Sequence, residues 1–215
     1  MAKRRFADPC VSESPFIRGC ASLKPIKMIL IFLNPGHSLG GNLDPGCVNP
    51  RCRLRECALA ITYGSLCGRY LETAGCEVRL LQSHNLAGES PGYPCVVEAA
   101  NAWEADVFVS IHVNAGGGRG AETYCYNLGG KGERLARCIQ NQLVASIQPI
   151  DPGYRDRGVM EHPTFCVLRN TNMLAVLVET GFIDSDDVGV LTLHGDEIAR
   201  ALARGVTDYG QSLKS

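Results

Sequence analysis

Residues 27–33 read KMILIFL, a continuous apolar run that suits a strand buried on both faces. The run stops at Asn34-Pro35-Gly36-His37, and a loop rich in Gly and Pro follows as far as Pro50. Over residues 53–73 the apolar positions Leu54, Ala58, Ile61, Leu66, Tyr70 and Leu71 gather on one broad helical face, and Gly75 supplies a stop. Residues 76–81 predict a strand and 94–104 a helix with Pro94 near its start. Residues 106–114 predict a strand whose alternation puts Ser110, His112 and Asn114 on one face and Val109, Ile111 and Val113 on the other. Beyond glycines 116–118, residues 121–126 predict a strand, 132–147 a helix, 165–169 and 174–179 strands, and 186–193 and 196–209 two closing helices; residues 151–158 read as a loop.

Strands alternating with helices predict an α/β fold: a twisted, mostly parallel (mixed) sheet of about six strands, flanked by helices on both faces. The 215 residues fit one domain, residues 27–215, behind an N-terminal extension, 1–26, expected to be poorly ordered. Hydrophobic residues are 45% and charged residues 20% of the chain, as in ordinary globular domains. The net charge of −1, without long runs of one sign, argues against nucleic acid or an anionic membrane as partner. The apolar run at 28–33 is too short to span a bilayer. Basic residues 3–5 lead into no apolar segment, so no classical export signal is expected. Eleven cysteines are scattered, with no Cys-x-x-Cys pair, which reads as small buried hydrophobes in a reducing compartment rather than a zinc knuckle.

Candidate chemistry sits at strand ends. His37 follows the first strand, His112 lies near the end of a central one, and Glu179 closes LAVLVE; Glu56 opens the helix after the His37 loop. Taken singly, His112 reads as a core histidine and Glu56 as a carboxylate favoured by its helix dipole. In a mostly parallel sheet these ends share one edge, so two histidines and two glutamates can converge there. Two imidazoles and one carboxylate make a zinc site with a position left for water, and a second carboxylate can move that water's proton.

The same residues lie in blocks that resemble the type-3 class of zinc-dependent N-acetylmuramoyl-L-alanine amidases. The first block stands as Asn34-Pro35-Gly36-His37-Ser38, Asp44-Pro45-Gly46-Cys47 and Arg55-Glu56. The second is Ser110-Ile111-His112-Val113-Asn114-Ala115, and the third runs from Leu168-Arg169-Asn170-Thr171 to Val178-Glu179-Thr180-Gly181-Phe182. Against the family pattern, Asn34 replaces Asp, Ser38 replaces Gly and Leu174 replaces Pro; none is a ligand, and Asn34 is expected to alter the surroundings of His37.

The resemblance implies that His37, Glu56 and His112 hold one Zn²⁺ per chain and that Glu179 is the catalytic acid/base. The implied reaction is hydrolysis of the amide between the lactyl group of N-acetylmuramic acid and L-alanine of the peptidoglycan stem. Asn34, Ser110, Asn114 and Arg169 are candidates for bracing the site or meeting substrate. Arg155, Arg157 and Arg169 suit either stem carboxylates or a solvated loop face, and His162 either a groove or a plain loop. His84 and His194 read as surface or capping residues, and Trp103 as core. Residues 127–161 have room for one helix and a loop, not for a long inhibitory insertion, so no activator partner is expected. Without an export signal, a chain made in the cytoplasm would reach the wall through lysis or a phage holin, as an autolysin or endolysin. A binder that lost its chemistry and another zinc peptidase are the alternatives.

Overall fold

The computed structural model describes residues 28–213, so the expected N-terminal extension lies outside the described residues. Six strands form one sheet: β1 (Leu30–Pro35), β2 (Glu77–Leu80), β3 (Val107–Asn114), β4 (Ala121–Cys125), β5 (Asp156–Glu161) and β6 (Leu174–Phe182), in the order β2-β1-β3-β6-β4-β5. The first four in that order run parallel; β4 is antiparallel to β6, and β5 parallel to β4. Six helices cover the sheet: α1 (Glu56–Thr73), α2 (Val96–Ala102), α3 (Lys131–Ile147), α4 (Cys166–Asn170), α5 (Val188–Leu193) and α6 (Gly195–Ser212). The α/β architecture with a mixed, mainly parallel sheet is therefore as the sequence pattern predicts.

The two faces are covered unequally. Ile31, Leu33, Val109, Ile111, Val176 and Val178 point into a large core with the long helices α1, α3 and α6. Phe32, Phe108, Ala175 and Leu177 point the other way, into a smaller core under the short helices α2 and α4. On the large side α3 and α6 touch closely enough that a Cβ on Gly205 would collide with the backbone of Ile139. On the small side the apolar cluster gives way, toward the C-terminal ends of the parallel strands, to a polar row of Asn34, Ser110, His112 and Glu179.

Two expectations fail. Residues 165–169, expected as a strand, fall mainly in the short helix α4 (Cys166–Asn170), which buries Val167 and Leu168 in the smaller core. The sixth strand is instead β5, which begins in the stretch read as a loop and runs on beyond it; it is an edge strand with exposed ends and little apolar signal. Among the described residues the nine cysteines are all free, with Cys57, Cys67 and Cys125 buried. No described helix is long and apolar enough to cross a membrane.

Candidate metal centre

Chain geometry delivers each group to one spot. His37 leaves β1 with a left-handed backbone (φ 69°), a strained conformation for a residue with a side chain. Glu56 lies in the first turn of α1, where the unpaired amides of a helix start favour a carboxylate. His112 is the Cα partner of Glu179 in the parallel β3–β6 pair, and Glu179 is in turn the partner of Glu122 on β4. Glycines make room: a Cβ on Gly36 would collide with the His112 ring, and one on Gly46 would lie 2.5 Å from Glu56 Oε2.

Glu56 is buried and bridges the two imidazoles. Its Oε2 lies 2.9 Å from His37 Nε2 and its Oε1 2.9 Å from His112 Nδ1. The same oxygens accept backbone hydrogen bonds from Cys47 (2.8 Å) and Val113 (2.9 Å), which fix the carboxylate plane. Ligand atoms from His37, Glu56 and His112 all lie within 4.8 Å of one another. Despite its short distance to Glu56, buried His37 Nε2 is not aligned for a hydrogen bond. His112 Nδ1 lies within hydrogen-bond distance of the same carboxylate, so the two imidazoles and Glu56 converge on one point. A tetrahedral ion with ligand bonds of about 2.0–2.1 Å fits there, and the His₂–carboxylate donor set is one zinc accepts.

The outer nitrogens settle the tautomers. His37 Nδ1 lies 2.9 Å from Asp44 Oδ2, an acceptor only, so Nδ1 carries the proton and Nε2 offers the lone pair. Asn34 Nδ2 donates to Leu81 O (3.0 Å), which turns Oδ1 toward Ser110 Oγ, 2.9 Å away. The one hydroxyl proton of Ser110 goes to Asn34, so Ser110 accepts from His112 Nε2 (3.1 Å) and leaves Nδ1 as the ligand atom. Asn34 thus acts through Ser110 on His112, not on His37 as expected. Asp44, quoted in the sequence block without a role, is the His37 brace.

Electrostatics separate the two glutamates. Burial pushes the Glu56 carboxyl up, but the His112 hydrogen bond and the close imidazoles of His112 and His37 outweigh it and hold Glu56 well below the usual carboxylate range. Burial pulls the His37 imidazolium down, yet Glu56 and Asp44 win and raise it to about 9. Glu179 moves the other way, to about 8, because burial and the charges of Glu56 and Glu122 all oppose ionisation. Its buried Oε2 has no hydrogen-bond partner among the described residues. A carboxyl that holds a proton near neutral pH beside a metal cradle is equipped for proton transfer.

Other candidates fall elsewhere. Asn114 Nδ2 donates to buried Glu122 (2.7 Å) rather than to His112. Glu122 was not singled out from sequence; β4 runs antiparallel, so its site residue stands near its start, where a strand-end search does not look. Arg169 is exposed on α4, before β6 begins, and its Nε reaches only Asn170. His162 stacks on Phe165 at 3.5 Å, His84 packs edge-on to Tyr93, and Trp103 packs against Phe32 of the smaller core.

Two histidines and a glutamate that could share one metal ion, with a second glutamate near them at the C-terminal ends of parallel strands, match the donor set of a metal-dependent hydrolase. Within that class the chain belongs to the N-acetylmuramoyl-L-alanine amidase family, whose pattern it matches over residues 31–208. It is 34% identical over 180 residues to the sporulation-specific N-acetylmuramoyl-L-alanine amidase of Bacillus subtilis, covering 83% of this chain and 65% of that relative. The chain thus spans about two thirds of that relative's length. Among solved structures, the N-acetylmuramoyl-L-alanine amidase AmiC2 of Nostoc punctiforme superposes with a TM-score of 0.71 at 29% identity, over 85% of this chain and 97% of that one. The CwlD amidase of Clostridioides difficile, solved in complex with the GerS lipoprotein, shares the fold at a TM-score of 0.72 and 24% identity, over 86% of this chain and 99% of that one.

Proposed function

We propose that the chain is a zinc amidase that cleaves peptidoglycan between the lactyl group of N-acetylmuramic acid and L-alanine of the stem. The observation that carries this reading is the pairing of the His37–Glu56–His112 cradle with Glu179, whose buried Oε2 has no hydrogen-bond partner among the described residues and whose pKa is raised to about 8. A zinc ion held by His37 Nε2, His112 Nδ1 and Glu56 would supply Lewis acidity and an activated water. Glu179 accepts the proton of that water and delivers it to the alanine nitrogen as the C–N bond breaks. Asp44 and Ser110 hold the imidazoles in the ligating tautomers throughout. Asn114 supports Glu122, whose charge raises the proton affinity of Glu179 and so favours its taking up the water's proton.

The substrate groove is expected to work without an activator, because between α3 and β5 there is only a short connection. The protein would act on the cell wall. The test is a digest of purified walls, with and without a chelator, followed by mass analysis of the products. Intact stems with a free L-alanine amine, lost on chelation and restored by zinc, are expected. Shortened stems would identify a peptidase instead, and no product a binder. Stimulation only on adding a partner protein would overturn the activator-free reading.

A further inference from the structure

Glu122 and Arg157 form an ion pair that the zinc chemistry leaves unexplained. Glu122 is 3% exposed, and both its oxygens are engaged: Oε1 by Asn114 Nδ2 (2.7 Å) and the Tyr124 hydroxyl (2.8 Å), Oε2 by Arg157 Nε (2.5 Å). Arg157 itself is not buried; its side chain is 40% exposed. Its guanidinium lies over the Phe182 ring at 4.8 Å, and that contact together with the Nε bond fixes its plane. The outer edge, Nη1 and Nη2, donates to nothing among the described residues. Glu122 is the cross-strand partner of Glu179, so Arg157, on β5, stands two strands from the reacting carboxyl with Glu122 between them.

An arginine needed only to neutralise Glu122 would gain most by burying its whole fork. One anchored through Nε and an aromatic face, with two parallel N–H groups left in water, is organised in advance for a planar anion. The substrate supplies one. The lactyl carboxyl is consumed in the scissile amide, so the carboxylates remaining lie on the peptide side of the bond.

We propose that Arg157, held by Glu122 and Phe182, is a specificity-determining residue that receives a carboxylate of the peptide stem through its Nη1–Nη2 edge. The proposal rests on the amidase reading above and adds an acidic stem as the preferred substrate. Arg155 and Arg169 lack such an anchor: Arg155 is exposed, and Arg169 sits before β6 on α4.

The experiment compares two synthetic muramoyl-peptides that differ only in stem carboxylate against carboxamide. The zinc-loaded proteins are the wild type, Arg157→Lys, and the double variant Glu122→Gln with Arg157→Gln, which removes both charges and leaves no buried ion unpaired. Wild type is expected to show a KM about tenfold lower for the carboxylate, the scale of a charge-assisted hydrogen-bond pair. The double variant should have equal KM values for the two, and Arg157→Lys an intermediate ratio. The ratio is independent of the folded fraction. Equal KM values in wild type, or discrimination that survives in the double variant, would overturn the proposal. Calorimetric binding of the free stem peptide, as carboxylate and as carboxamide, needs no turnover. Charge-selective binding without cleavage of either muramoyl-peptide would sink the amidase reading and keep Arg157; cleavage without charge selectivity would do the reverse.

Discussion

Ser110 Oγ accepts a hydrogen bond from His112 Nε2 at 3.1 Å while passing its own proton to Asn34, and this fixes which nitrogen of His112 faces Glu56. Removing the hydroxyl should release the ring to the other tautomer and orientation. Ser110→Ala is expected to lower zinc affinity by about 10- to 100-fold, the range for losing a brace behind a metal-binding histidine. A competition titration against a chelator measures it. Asn34→Asp, which still accepts the Ser110 proton, should stay within about threefold of the parent by the same reasoning; a loss equal to that of Ser110→Ala would break the relay.

Glu179 is assigned proton transfer and not metal binding. Glu179→Gln should cut turnover by about 10²- to 10⁴-fold while zinc stays near one per chain by metal analysis. Zinc lost together with activity would make Glu179 a ligand.

Zinc and protons compete for His37. Its imidazolium is held up at about 9 in the metal-free protein, and only the neutral ring can ligate. Zinc binding near pH 7 should therefore expel close to one proton from this residue. Calorimetry in two buffers of different ionisation enthalpy reads the proton count, and zero release would contradict it.

The same two groups set the pH response of the metal-free fold. The His37 contribution is fully present below its ordinary 6.5 and is lost as pH rises through about 9. Glu179 is a carboxyl raised from 4.5 to about 8, so folding becomes less favourable as pH climbs between those values and changes no further above them. Both slopes run downward. The melting temperature of chelated protein should fall steadily from pH 5 to pH 9, with a shallower fall below pH 8 in Glu179→Gln. A midpoint that rises over this window would refute the assignment.

Gly46 has φ +68° and faces Glu56 and His37, so Gly46→Ala combines a disfavoured backbone with a methyl group in the cradle. A stability loss of about 1 kcal/mol or more is expected, read by denaturant unfolding, together with weakened zinc binding. An alanine variant that binds zinc as the parent does would show that the cradle yields easily.

The central strands were legible because burial on both faces leaves unbroken apolar runs, as in β1 and β6; His112 in β3, a core histidine when taken singly, gained a role only beside His37, Glu56 and Glu179. The edge strand β5 was not, since a half-exposed strand needs no such pattern, and α4 was mistaken because five residues are too few to display a helical period. Within the site, spacing located the histidines and glutamates. Asp44 and Glu122 escaped because their importance lies in what they touch across the fold, and Arg157 stood out from Arg155 and Arg169 only once its pairing with Glu122 was seen.

Three long helices press on one side of the sheet and two short ones on the other. The polar row on the lightly covered side meets solvent through the partly exposed rings of His37 and His112, while Asn34, Ser110 and Glu56 stay sealed behind them. A polymer approaching from this side meets imidazole edges first, and the sealed groups behind those rings stay away from water whether or not substrate is present.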